Sequence, residues 1–160
     1  MNIRPITESD RDWAAALVAR HFGTPEIISR GVRHDTRRLP GLVLEQASER
    51  LGLLHYNVLD ERCEVVTLIA TRERQGIGKQ LLSELDAVAR SLGCRCLWLV
   101  TTNDNRASRR FYEALGWRRV AIHRGAVTAA RRLKSEIPER ADDGTPIEDE
   151  IEYELMLETA

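Results

Sequence analysis

The sequence predicts an α/β fold, a mixed sheet of about seven strands with helices on both sides, and three observations carry that expectation. An apolar strand-like run at residues 65–70 leads into a glycine loop and then into a helical stripe that starts at Ile77. A second apolar run, Cys96-Leu97-Trp98-Leu99-Val100, is continuous, the sign of a strand covered on both faces. Residues 150–158 instead alternate Ile151, Tyr153, Leu155 and Leu157 with acidic side chains, as a strand with one apolar face does.

The remaining elements follow in order. Residues 3–6 read as a first strand. Thr7 and Asp10 have the spacing of a capping box, and Trp13 and Leu17 continue a helix through His21 to Gly23. Thr24-Pro25 then predicts a second helix carrying Ile27, Ile28 and Val32, with threonine as N-cap and proline in the first turn. Residues 42–46, 51–59 and 64–71 read as three successive antiparallel strands. The helix at 77–92 keeps Ile77, Leu81, Leu82, Leu85, Val88, Ala89 and Leu92 on one stripe and stops at Gly93. Asn105 and Gly116 bracket another helix, and residues 118–123 form the next strand.

The connection at 124–149 is long for a strand-to-strand link; its 126–133 part is expected to be helical and its 137–146 part is rich in proline, glycine and charge. It is expected to serve as a lid over a cleft or as a dimer arm, against the plainer reading of a mobile surface loop.

At 160 residues the chain is expected to be one domain. A net charge of −1 and a pI near 6.4 supply no field for nucleic acid. No stretch approaches the roughly 20 apolar residues of a membrane span, and the first five residues lack the apolar run of a signal peptide, so a cytoplasmic protein without membrane contact is expected. Cys63, Cys94 and Cys96 read as small buried hydrophobes in a reducing compartment. His21, His55 and His123 share no metal-ligand spacing, so no metal is expected.

The glycine loop reads Arg74-Gln75-Gly76-Ile77-Gly78-Lys79. Unpaired N–H groups and the positive end of the dipole at a helix start stabilise an anion, although two glycines also suit a plain turn. A Walker loop is excluded, because its first glycine would be Glu73 and its hydroxyl Gln80. A dinucleotide fingerprint is excluded by Leu81.

With these loops set aside, the pattern resembles the GNAT superfamily of acyl-CoA-dependent N-acyltransferases, whose signature Arg/Gln-x-x-Gly-x-Gly/Ala places its glycines on Gly76 and Gly78 and its first position on Glu73. A second segment, Asn105 to Trp117 with Tyr112 and Gly116, is similar to the family's Asn-x-x-Ala-x-x-x-Tyr-x-x-x-Gly-Phe helix, with Ser108 where alanine is usual. The resemblance runs over residues 1–158 and is nearest to a subgroup with Thr-Thr-Asn-Asp-Asn at 101–105 and His-Arg-Gly-Ala-Val at 123–127.

The resemblance implies acetyl-CoA as co-substrate, a primary amine on a small molecule or peptide as acceptor, a possible homodimer, and a CoA wedge between sheet strands four and five, which run parallel. It implies further that the CoA pyrophosphate lies on the amides of Arg74, Gln75, Gly76, Ile77, Gly78 and Lys79, where a side chain at Gly78 would intrude. Arg72, Arg74 and Lys79 would neutralise the phosphates, backbone from Val66 through Leu68 to Ile69 would pair with pantetheine, and Asn105 and Ser108 would border it. Tyr112 would be the general acid toward sulfur. Glu64 is the candidate base, with Asp149, Glu150 and Glu152 as alternatives, and His123 is a candidate to face the acceptor. A CoA-binding sensor without turnover, or transfer of another acyl group, stays open.

Overall fold

In the computed structural model, which describes residues 1–73 and 75–158, seven strands form one sheet and two more form a hairpin of their own. The first half of the chain contributes β1 (Asn2–Pro5), α1 (Arg11–Phe22), the hairpin strands β2 (Glu26–Ser29) and β3 (Val32–Asp35), β4 (Gly41–Gln46), β5 (Glu49–Leu59) and β6 (Arg62–Ala70). The second half contributes α2 (Ile77–Ser91), β7 (Cys96–Thr102), α3 (Arg106–Ala114), β8 (Arg118–His123), α4 (Ala126–Leu133) and β9 (Glu150–Met156). The sheet order is β1-β4-β5-β6-β7-β9-β8. Neighbours are antiparallel except β6 and β7, the fourth and fifth strands across the sheet, which are parallel as expected.

Alternation along the strands separates two apolar layers. Leu42, Leu44 and Leu54 face one side and pack with Ile77, Leu81, Leu82 and Leu85 of α2. Val43, Leu53 and Ile69 face the other and pack with Ala14, Leu17 and Val18 of α1. A buried side chain of this size contributes about 2 kcal/mol gross, so α2 is held by its stripe rather than by helix propensity. The stripe is one residue shorter than expected, since Leu92 lies past the helix end and is exposed.

The expected helix at 25–32 is a β-hairpin instead. Ser29 pairs with Val32 across a two-residue turn in which Arg30 and Gly31 both take positive φ, 49° and 76°. That is the twist a tight hairpin needs, and Gly31 adopts it without strain. The β-branched Ile27, Ile28 and Val32 suit strands, so the turn overrides the helix-start signal of Thr24-Pro25. The chain therefore follows α1 with a hairpin rather than with a second helix.

Asp10 is fully buried and staples α1 to the sheet. It accepts from Arg4 at 2.7 Å, from Arg50 at 2.9 Å and from the Thr7 amide at 2.7 Å. Hydrogen bonding from Arg4 holds its carboxyl far below the usual carboxylate range. All three cysteines are free and buried, and burial pushes the Cys63 thiol up to about 12.

Candidate active site

The cleft begins where β6 and β7 part. They pair only from Arg62–Cys96 to Glu64–Trp98, yet β6 continues to Ala70 and β7 to Thr102. Beyond Glu64 the edge of β6 facing β7 therefore carries backbone N–H and C=O groups with no strand partner. A bulge produces the divergence: His55 pairs with Thr67 but Tyr56 pairs with Val65, which leaves Val66 as an extra residue on β6. Thr67 repairs the interrupted ladder, accepting from the His55 amide at 2.9 Å while its hydroxyl meets His55 Nδ1 at 2.8 Å. Burial pushes the His55 imidazole down to about 4, so it stays neutral in this role. Val66 and Leu68 line the resulting cleft of about 490 Å³. Ile69 does not; its side chain packs on α1, leaving only its backbone for the wedge.

Gly76 precedes α2 with φ 71°, and no acidic side chain lies in the first turn of that helix. Arg74 lies outside the described residues. Gln75 and Lys79 are exposed, and Lys79 has no ion-pair partner among the described residues. Arg72 forms an exposed ion pair with Glu49 at 2.7 Å. A Cβ at Gly78 would meet Phe111 Cζ at 3.3 Å and Leu68 Cδ2 at 3.6 Å. Its missing side chain lets α2 close on α3 and β6.

Asn105 caps α3 through a bond from the Ser108 amide to its side-chain oxygen, 3.1 Å long. Asn105, Ser108 and Tyr112 then line the cleft from one helical face. The Tyr112 ring is wedged against Phe111, Trp117 and Tyr153 at centroid distances of 5.2, 5.3 and 6.2 Å. Its hydroxyl has no hydrogen-bond partner among the described residues, and burial pushes its pKa above the ordinary phenol value.

Glu64 is buried in the cleft wall, not at a solvated strand end. Ser29 donates to its Oε2 at 2.6 Å, and His34 Nε2 lies 3.4 Å from its Oε1. That His34 nitrogen is buried without a hydrogen bond. Glu150 also lines the cleft but is engaged by Arg30, from its guanidinium at 3.1 Å. Asp149 accepts from the Gly125 amide at 2.9 Å, and Glu152 is taken by His123 at 2.9 Å. Neither Glu152 nor His123 lines the cleft. Ser29 and His34 escape sequence reading because the segment carrying them reads as helix; a hairpin assignment from Arg30-Gly31 would have found them.

The 124–149 connection covers the cleft. Val127, Ala130, Lys134, Ile137, Pro138 and Ile147 all line it. Asn103 at the end of β7 fastens the far side, its Oδ1 accepting from the amides of Glu148 and Asp149 at 2.9 and 3.1 Å and its Nδ2 donating to Pro146 at 2.9 Å. The segments at 101–105 and 123–127 thus meet at the same stretch, since Gly125 also binds Asp149. Among the described residues no group of His, Cys, Asp and Glu is placed to hold a metal ion, and no helix is long and apolar enough to cross a membrane.

Comparison with known proteins agrees with this geometry. The sequence model of the Acetyltransferase (GNAT) family matches residues 10–117. YdhI of Bacillus subtilis (strain 168), an uncharacterised protein, is 34% identical over 159 residues, covering 99% of each chain. Among solved structures, a GNAT family acetyltransferase from Elizabethkingia anophelis with acetyl-CoA bound superposes at a TM-score of 0.74 with 17% identity, over 98% of this chain and 97% of the other. The ribosomal-protein-S18-alanine N-acetyltransferase of Escherichia coli superposes at 0.71 with 19% identity, over 99% and 95%. These structural likenesses establish the fold.

Proposed function

The chain belongs to the acetyltransferase (GNAT) family, and on that premise we propose that it transfers an acetyl group from acetyl-CoA to a primary amine. The observation that carries the reading is the wedge between β6 and β7, whose unpaired backbone meets Tyr112 and Glu64 in one cleft. An extended, amide-bearing pantetheine arm fits an unpaired strand edge, which offers alternating donors and acceptors. Acetyl-CoA, when bound, supplies the activated acyl group and a thiolate leaving group.

In this reading the amides at the start of α2 hold the pyrophosphate, and Lys79 adds a mobile positive charge. Glu64 accepts the proton that the amine loses as its C–N bond forms. Ser29 holds Oε2 of that carboxylate, and His34 Nε2 stands 3.4 Å from Oε1, the oxygen that meets the incoming amine. Tyr112 gives its proton to the sulfur as the C–S bond breaks; burial keeps the phenol protonated at neutral pH. The connection over the cleft excludes water, which would otherwise compete with the amine.

The test is thiol release from acetyl-CoA by the purified chain with a panel of amines, read together with the mass of each acceptor. A gain of one acetyl group that disappears in Tyr112→Phe and falls in Glu64→Gln is expected. Tight acetyl-CoA binding with no acetylated product would instead make the protein a CoA-binding sensor.

A further inference from the structure

Lys134 follows α4 and lines the cleft, yet it is only 5% exposed. Its Nζ carries three donors and gives one to the Glu26 carbonyl at 2.5 Å. The Glu26 carboxylate is occupied by Arg33, and Glu136, which also lines the cleft, forms no ion pair with Lys134 among the described residues. Burial pulls the Lys134 pKa down, Arg33 adds to that, and Glu136 and Glu26 oppose it. A buried ammonium with one hydrogen bond and no direct ion pair among the described residues, Glu136 and Glu26 acting on it only at longer range, is costly unless an anion joins it. By contrast, Arg30 and Arg33 on the neighbouring hairpin each have a carboxylate partner.

We propose that the acceptor carries a carboxylate besides its reacting amine, and that Lys134 holds this carboxylate. The inference rests on the acetyl-transfer reading above. In that reading the CoA phosphates sit at the start of α2, whereas Lys134 is fastened to β2 on the hairpin side of the cleft, so the acceptor supplies the anion. Glu64 then takes the amine end. Phe22, Ile27, Ile137 and Pro138 surround the remaining space with apolar surface, which suits an α-amino acid with an apolar side chain.

The experiment compares kcat/KM of the full chain for leucine and phenylalanine with that for their carboxamides and for amines lacking any carboxylate. The acids are expected to be better acceptors by roughly 10- to 100-fold, the range for a charge-assisted hydrogen bond. Lys134→Met should remove that preference through KM while leaving acetyl-CoA affinity within about twofold, the acids losing more than the carboxamides, and Lys134→Arg should restore most of it. Because the variant could fail to fold, 4-methylpentanoate is tested on the unaltered chain as a competitor of the acceptor, where its amide should be inert. Acids and amides acetylated equally, amines without carboxylate preferred, or equal losses for all acceptors in a folded Lys134→Met would overturn the proposal. No acetylation of any amine, with acetyl-CoA bound, would instead end the transfer reading beneath it.

Discussion

The two ends of the cleft are built from different materials. The end read as the cofactor's is made of backbone: the bulged edge of β6, the parting strand β7 and the first turn of α2. The end read as the acceptor's is made of side chains, Ser29 and His34 from the hairpin, Glu64 and Glu150 from the sheet, and Lys134 from the connection. Backbone sites tolerate many sequences and are shared across a fold, whereas side-chain sites are particular to a chain.

Breaking the junction of the two ends should have the largest effect. Tyr112→Phe keeps the ring among Phe111, Trp117 and Tyr153 and removes a hydroxyl that bonds no described residue. We expect kcat to fall by about 10²-fold or more with unchanged melting temperature and acetyl-CoA affinity. Stopped-turnover assays and calorimetry on the same preparation check both halves of that statement.

A change outside both ends should move stability alone. Asp10→Asn removes the charge that Arg4 and Arg50 share, and about 3 kcal/mol of stability should be lost in denaturant melts while acetyl-CoA affinity of the folded protein persists. The pH dependence follows from the lowered carboxyl. Its stabilisation is complete above the ordinary value of 3.8 and is lost as pH falls through the depressed folded value. The gap between the two proteins should therefore be constant near neutrality and narrow only in acid.

Two weaker changes separate the ends themselves. Gly76→Glu faces open space, its nearest atom being Gln80 Nε2 at 3.9 Å, but it brings a negative charge and a strained φ to the loop. Acetyl-CoA affinity should weaken by roughly 10-fold or more, with the ratio of kcat/KM values between acceptors unchanged. Gly78 is a poorer probe, because its replacement would disturb Phe111 directly. Asn103→Ala unfastens the cover and should raise acceptor KM by roughly 5-fold with acetyl-CoA affinity unaltered; steady-state kinetics in both substrates separate the two.

The same contrast explains what could be read from the letters. Strand and helix periodicity located the strands and the faces of α2 and α3, because each rests on a local pattern such as the apolar run at 96–100, while the parallel pair followed from the family resemblance. The bulge at Val66 left no mark of its own, since it depends on pairing with β5. The hairpin was misread because Thr24-Pro25 is a good helix start and the decisive Arg30-Gly31 turn is short. In the letters Lys134 is one member of a basic stretch with Arg131 and Arg132; only the fold shows that it turns inward while Arg131 ties α4 to Pro138.

Residue-resolved amide exchange, with and without acetyl-CoA, tests most directly whether backbone holds the cofactor. The account predicts new protection in β6 amides between residues 65 and 69 that face the wedge and in residues 76–79, with the hairpin at 26–35 and residues 134–138 unchanged until an acceptor is added. Protection confined to the hairpin and the cover, with the β6 edge still exchanging as in the free protein, would contradict it.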